Sequence, residues 1–128
     1  MNIKEFRIAL TVTDWEKSIQ FFREGLGLQP EEFWNDKGRG QLFLVGNGAL
    51  EIFDPDYAAF VDDVEVGSRV SEKIRFAFEV TDLRETLQNA LKNGATMVHK
   101  PVSTPWKDLN ARIESPDGIQ ITLYQRSK

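Results

Sequence analysis

The sequence predicts an α+β domain made of two βαβββ modules. Three observations carry this. A nine-residue stretch occurs twice, as Phe6–Asp14 and as Ile74–Asp82, with Arg, Ala, Val, Thr and Asp at matching places. Each copy alternates: Ile8, Leu10 and Val12 leave one side and Arg7, Ala9 and Thr11 the other, the pattern of a half-buried strand. Each copy ends on an aspartate, Asp14 or Asp82, that can cap a following helix.

The remaining elements follow in order. Behind Asp14, Trp15, Ile19, Phe22 and Leu26 recur at helical spacing as an apolar stripe, and Gly25 and Gly27 stop the helix. Leu28 to Trp34 reads as a short strand. Asn35-Asp36-Lys37-Gly38-Arg39-Gly40 is a turn by composition, without the spacing of a phosphate-binding loop. Gln41 to Val45 and Ala49 to Phe53 form a hairpin around Gly46-Asn47-Gly48. Asp54 to Lys73 is the longest irregular stretch, with at most one helical turn at Tyr57–Phe60, and reads as a linker or lid. In the second module, Asp82 and Glu85 form a capping box, and Leu83, Leu87, Ala90 and Leu91 the stripe. Thr96 to Lys100 is a strand. A closing hairpin joins Asn110–Ser115 to Ile119–Gln125 through Pro116-Asp117-Gly118. Both helices are expected on one sheet face. The organisation is one domain over 1–128, with module one at about 1–56, a linker at about 57–72 and module two at about 73–128.

Composition excludes several classes of function. Hydrophobic residues make up 41% of the chain, enough for a core, and a net charge of −4 with no basic run argues against a nucleic-acid partner. There is no cysteine for a disulfide, thiol nucleophile or thiolate metal site. No apolar run approaches the ~20 residues that cross a membrane, and the first residues are not a signal peptide, so a cytoplasmic location is expected. His99 is the single histidine; beside Lys100-Pro101 it reads as a strand-end surface residue, and no Ser-His-Asp set can be assembled around it.

The chain resembles the vicinal oxygen chelate superfamily, which includes glyoxalase I, bleomycin-resistance proteins and extradiol dioxygenases. The resemblance rests on Val12-Thr13-Asp14-Trp15-Glu16-Lys17-Ser18-Ile19 with Phe21-Phe22 and Leu26-Gly27-Leu28. It continues through Asn93-Gly94-Ala95, Pro105-Trp106 and Ser115-Pro116-Asp117-Gly118. It implies paired modules forming a curved sheet around a central cavity, usually in a homodimer. It also implies, for metal-dependent members, His on the first strand and Glu on the last strand of each module. Here those positions hold Arg7, Arg75, Glu51 and Thr122.

Only Glu51 matches. A guanidinium has no lone pair to give a metal, and one carboxylate with one hydroxyl is a poor ligand set, so no cofactor is expected. Arg7, Glu51 and Arg75 could form an ion triad with one surplus positive charge, an anchor for a small organic anion. Alternatively the network closes on itself, with Glu79 supplying the second negative charge. Phe43, Phe53, Trp34, Trp106 and Tyr124 are candidate aromatic walls. Glu51 is the best candidate for acid–base chemistry, although two adjacent arginines are expected to lower its pKa. Three functions stay open on the sequence. One is a metal-free protein of the bleomycin-resistance kind that binds a small, partly aromatic anion. The second is a divalent-metal enzyme, lactoylglutathione lyase-like or dioxygenase-like, with a degenerate ligand set. The third is a ligandless interaction domain.

Overall fold

A computed structural model describes residues 2–127. Eight strands form one sheet in the order β2-β3-β4-β1-β5-β8-β7-β6. The strands are β1 (Ile3–Thr11), β2 (Gln29–Trp34), β3 (Gly40–Val45), β4 (Gly48–Phe53), β5 (Ile74–Val80), β6 (Thr96–Ser103), β7 (Asp108–Glu114) and β8 (Gln120–Arg126). The helices are α1 (Trp15–Gln20), α2 (Pro55–Glu65) and α3 (Leu83–Lys92).

The repeat becomes a pseudo-dyad. β1 and β5 are antiparallel neighbours, and the register pairs Arg7 with Ala77 and Ala9 with Arg75. Each arginine therefore sits across from the other copy's alanine, and Ile8 pairs with Phe76 at the centre. The two modules join within one chain through this pair. On either side β4 and β8 run parallel to their first strands, with Ala9 opposite Glu51 and Ala77 opposite Thr122. Glu51 and Thr122 are thus symmetry-equivalent, as the one-residue shift between the hairpins requires.

Alternation splits the sheet into two faces. The outer face carries two apolar cores. Val12, Trp15, Ile19, Phe43 and Ile52 pack under α1. Val80, Leu83, Leu87, Ala111, Ile113 and Leu123 pack under α3. Asp14 and Asp82 cap these helices by accepting from the backbone N–H of Lys17 and Glu85. The stripe of the first helix ends early. Beyond Gln20 the chain widens into a π-type turn at Phe21–Gly25, which rotates Leu26 out of the stripe and leaves it 57% exposed.

The third helix departs from expectation. Asp54–Lys73 is only partly irregular: α2 takes eleven of its residues and lies on the inner face, opposite α1 and α3, and 66–73 form no helix or strand. Asp54 accepts from Tyr57 N–H as the cap, and Pro55 opens the helix, where its missing N–H costs nothing. The inward stripe is Ala58, Val61, Asp62 and Glu65. Its second half is acidic, so the apolar period that marks a helix is hidden.

Those acids meet a buried arginine. Arg112 is 0% exposed, and Thr122 pairs with it across the β7/β8 register. Arg112 Nη2 donates to Glu65 Oε1 at 2.9 Å and Arg112 Nη1 to Asp62 Oδ1 at 3.0 Å. Asp62 Oδ2 also accepts from Arg69 Nη1 at 2.9 Å and from the N–H groups of Val70 and Ser71 at 2.9 and 2.6 Å. The network latches the C-terminal half of α2 to the sheet.

Burial by itself pushes the Asp62 carboxyl up, but the Ser71 hydroxyl and N–H, Arg112 and the Val70 N–H together bring it down to about 2. A depressed carboxyl adds stability above its unfolded pKa and loses it as the pH falls through the folded value. The gap from an ordinary aspartate corresponds to about 2 kcal/mol. Urea titrations should show that contribution disappearing between about pH 5 and pH 2. Asp62→Asn should flatten this acid limb and cost about 3 kcal/mol at neutral pH, because Arg112 is left underpaired in the interior.

Candidate functional site

The inner face is lined near its centre by the smallest side chains available. Ala9 and Ala77, both buried, flank the dyad; Phe53, Ala58 and Val61 cover Ala9, and the room above the sheet lies over Ala77. A cavity of about 570 Å³ fills that room, with sheet residues as its floor and α2 along one side. Arg7, Glu51, Arg75, Thr122, Phe53, Trp34, Trp106 and Tyr124 all line it. Phe43 does not. It is fully buried on the outer face against α1, one residue out of phase with the inward positions of β3.

The aromatic wall is continuous from one module to the other. Trp34 stacks on Tyr57 at 5.6 Å between centroids, Tyr57 meets Phe53 at 4.9 Å and Phe60 at 5.7 Å, and Phe60 meets Trp106 at 6.3 Å. Tyr57 and Phe60 come from α2 and bridge the Trp34 and Trp106 sides. Gly40 makes the stack possible. A Cβ there would lie 2.7 Å from the Trp34 ring and 3.4 Å from both Phe53 and Tyr57.

The two arginines differ. Arg7 Nε donates to Glu5 Oε1 at 2.6 Å and Arg7 Nη1 to Glu51 Oε2 at 3.3 Å. Burial works against its charge, but Glu51 and Glu5 outweigh that and hold its pKa above the ordinary arginine value. Glu5 also accepts from the Tyr124 hydroxyl at 2.5 Å. Arg75 is 5% exposed, and its guanidinium lies 5.9 Å from the centroid of the Phe53 ring. It donates from Nη1 to the Thr122 hydroxyl at 2.8 Å. Among the described residues no carboxylate oxygen lies within ion-pair distance of Arg75. Thr122 in turn donates to Glu65 Oε1 at 2.7 Å.

The expected triad is therefore not closed: Glu51 pairs with Arg7 and not with Arg75. Nor does Glu79 supply the second negative charge. It pairs with Lys4 and Arg126 instead. The surplus positive charge is local rather than general, since four cationic and five acidic side chains line the cavity. The Glu51 carboxyl departs from expectation too. Burial is the largest influence on it and raises its pKa, with Arg7 and Arg75 opposing and Glu65 adding to the rise. His99 is not at a strand end: it lies inside β6, paired with Arg112 of β7 between two register shifts, and its Nδ1 meets the Lys100 carbonyl.

The inward position of β7 at Arg112, the α2 carboxylates Asp62 and Glu65, and Asn110 were missed by sequence reasoning. A signal existed: Arg112 stands between Ala111 and Ile113 in a strand whose outward residues are apolar. The cap at Asp54-Pro55 with inward residues three and four apart was the other.

The donor set does not fit a divalent ion. Two of the four positions are guanidiniums that cannot donate electrons, and no group of three or more His, Asp or Glu among the described residues could hold a metal. No helix among them is long and apolar enough to cross a membrane.

Paired βαβββ modules around an inner cavity define a class, and comparison with known proteins agrees. The profile of the Glyoxalase/Bleomycin resistance protein/Dioxygenase superfamily matches residues 6–123, and the chain belongs to that superfamily. It is 27% identical over 127 residues to the uncharacterized protein YraH of Bacillus subtilis (strain 168), covering 96% of this chain and 98% of YraH. Among solved structures it resembles a superfamily member from Vibrio splendidus 12B01, with a TM-score of 0.67, 13% identity and coverage of 97% and 99% of the two chains. It also resembles the methylmalonyl-CoA epimerase of Mycobacterium tuberculosis, with a TM-score of 0.65, 18% identity and coverage of 98% and 88%.

Gly40→Ala should cost about 1–3 kcal/mol through overpacking and shift the tryptophan emission as Trp34 is pushed off Tyr57. An unchanged spectrum and midpoint would show that the stack yields without resistance.

Proposed function

We propose that this protein is a metal-free, bleomycin-resistance-like binding protein of the cytoplasm that holds a small, partly aromatic organic anion in its cavity. The observation that carries this reading is Arg75. Its guanidinium is buried, its one side-chain hydrogen-bond partner among the described residues is a neutral hydroxyl, and it lines the cavity. A buried cation that touches no carboxylate is costly, so an incoming carboxylate or phosphate gains from meeting it. Phe53, Trp34, Tyr57 and Trp106 offer flat apolar surface beside it, which suits a ligand with a planar body. Arg7 is already held by two carboxylates and serves as floor rather than anchor.

The test is a thermal-unfolding screen of aromatic carboxylates and phosphates. A ligand at a hundredfold its Kd should add about 2.7 kcal/mol, a rise of roughly 10 °C for a chain of this size. Arg75→Met should abolish the rise while leaving the unliganded midpoint near or above that of the wild type. Arg7→Met should lower the unliganded midpoint, because Glu5 and Glu51 lose their partner, yet keep a ligand-dependent rise. A rise that survives Arg75→Met would refute the anchor. Metal analysis of protein purified without chelators should find less than stoichiometric Zn, Ni and Fe, and a tight stoichiometric ion would replace this reading with a metal enzyme.

We further infer that the protein works as a homodimer through the outer face between α1 and α3. Phe6 packs at 5.0 Å on Phe78 and 5.6 Å on Phe76, and Phe6 and Ile74 are 37% and 45% exposed. A symmetric apolar strip along the dyad suits a second copy of itself. Sedimentation should report a dimer, and Phe6→Lys should give a folded monomer.

A further inference from the structure

Glu65 fixes its neighbour Asn110 in one orientation. Its Oε1 accepts from Arg112 Nε at 3.2 Å, Arg112 Nη2 at 2.9 Å and the Thr122 hydroxyl at 2.7 Å. A carboxylate engaged this way acts only as an acceptor, so its Oε2 calls for a donor. Asn110 supplies it, with Nδ2 at 3.2 Å. Turning the amide over would set oxygen against oxygen, so the network decides which end faces Glu65.

The consequence falls on the other end. Asn110 is 4% exposed and borders the cavity, with its Oδ1 enclosed, so a ligand meets that oxygen as the side chains over it give way. Its Oδ1 is the one buried side-chain nitrogen or oxygen among the described residues with no hydrogen-bond partner. Leaving such an acceptor unmet is unfavourable, and native interiors rarely do so. Arg75 reaches Thr122, Thr122 reaches Glu65, and Glu65 reaches Asn110. The open donors of Arg75 and the open acceptor of Asn110 therefore lie on two sides of one carboxylate.

We propose that Asn110 is a specificity-determining residue of the cavity, and that its ligand is an anion carrying an O–H or N–H donor close to the carboxylate, as in an aryl-substituted 2-hydroxy acid. Arg75 takes the carboxylate, Asn110 Oδ1 accepts from the donor, and the aromatic wall takes the ring. The inference rests on the Arg75 anchor and adds to it the choice among anions. An ether or a hydrogen at the donor's place offers Asn110 nothing.

Calorimetric titration with mandelate, phenylacetate and O-methylmandelate tests it. Mandelate should bind about tenfold more tightly than either of the others, as expected for one hydrogen bond to an otherwise unmet buried acceptor. Asn110→Leu should bring mandelate down to the level of phenylacetate and leave phenylacetate unchanged. Should Asn110→Leu fail to fold, Asn110→Ser, which keeps a hydroxyl to donate toward Glu65, should show the same loss. Equal binding of the three acids to the wild type, still dependent on Arg75, would overturn the role of Asn110 and leave the anchor standing. A preference for mandelate that persists in both variants would also overturn it. No binding of any of the three, with no Arg75-dependent response to other aromatic carboxylates or phosphates, would overturn the anchor and this inference together.

Discussion

A guanidinium with no access to water dictates the arrangement of this molecule. Arg112 projects from the inner face of β7, where no strand offers it a carboxylate within ion-pair distance among the described residues. Asp62 and Glu65 are brought to it by α2, and a helix that delivers them must cross the inner face. Desolvating three charges is expensive, and their mutual attraction returns that cost only with good geometry. What the network secures is position. Once Asp62 and Glu65 are engaged, Tyr57 and Phe60, further up the same helix, can only lie over the cavity. The aromatic wall, the hydroxyl relay through Thr122 and the orientation of Asn110 all follow from that placement.

The same latch explains why two equivalent arginines came to differ. The dyad puts Arg7 and Arg75 in matching places, but their surroundings do not match. Opposite Ala9 stands Glu51, which pairs with Arg7. Opposite Ala77 stands Thr122, which cannot neutralise a charge and donates its hydroxyl hydrogen bond to Glu65, already committed to Arg112. One arginine becomes part of the floor and the other is left with unused donors facing the cavity. The residue types opposite the two alanines, Glu51 and Thr122, together with the carboxylate that α2 brings to Thr122, separate a structural ion pair from a recognition element.

The division between what was legible in the sequence and what was not follows the same physics. The two strand–helix repeats were legible because alternation and capping are local. The outer cores were legible because their residues are apolar at the right period, and the equivalence of Glu51 with Thr122 followed from the repeat. The helix α2 was hidden because half of its buried stripe is acidic, and burial of Asp62 and Glu65 makes sense only once Arg112 is known to wait beneath them. That is a contact across 50 residues, beyond any local pattern. Phe43 was misplaced by one residue of phase, since the hairpin gives no local cue to which side of β3 faces the cavity. Glu51 was expected to be more acidic than usual because its neighbours were counted and its burial was not.

The dyad also records a history. Two stretches that share Arg, Ala, Val, Thr and Asp at five of nine positions are what a duplicated gene leaves behind, and an ancestor with identical halves would have had two identical half-cups. Leu42 faces Glu51 in one half, and Arg112 faces Thr122 in the other. Arg112 and Thr122 meet the intervening helix through Glu65. A segment that joined two copies end to end thereby turned a symmetric bowl into one with a preferred direction, and direction is what a bowl needs to tell one end of a guest from the other.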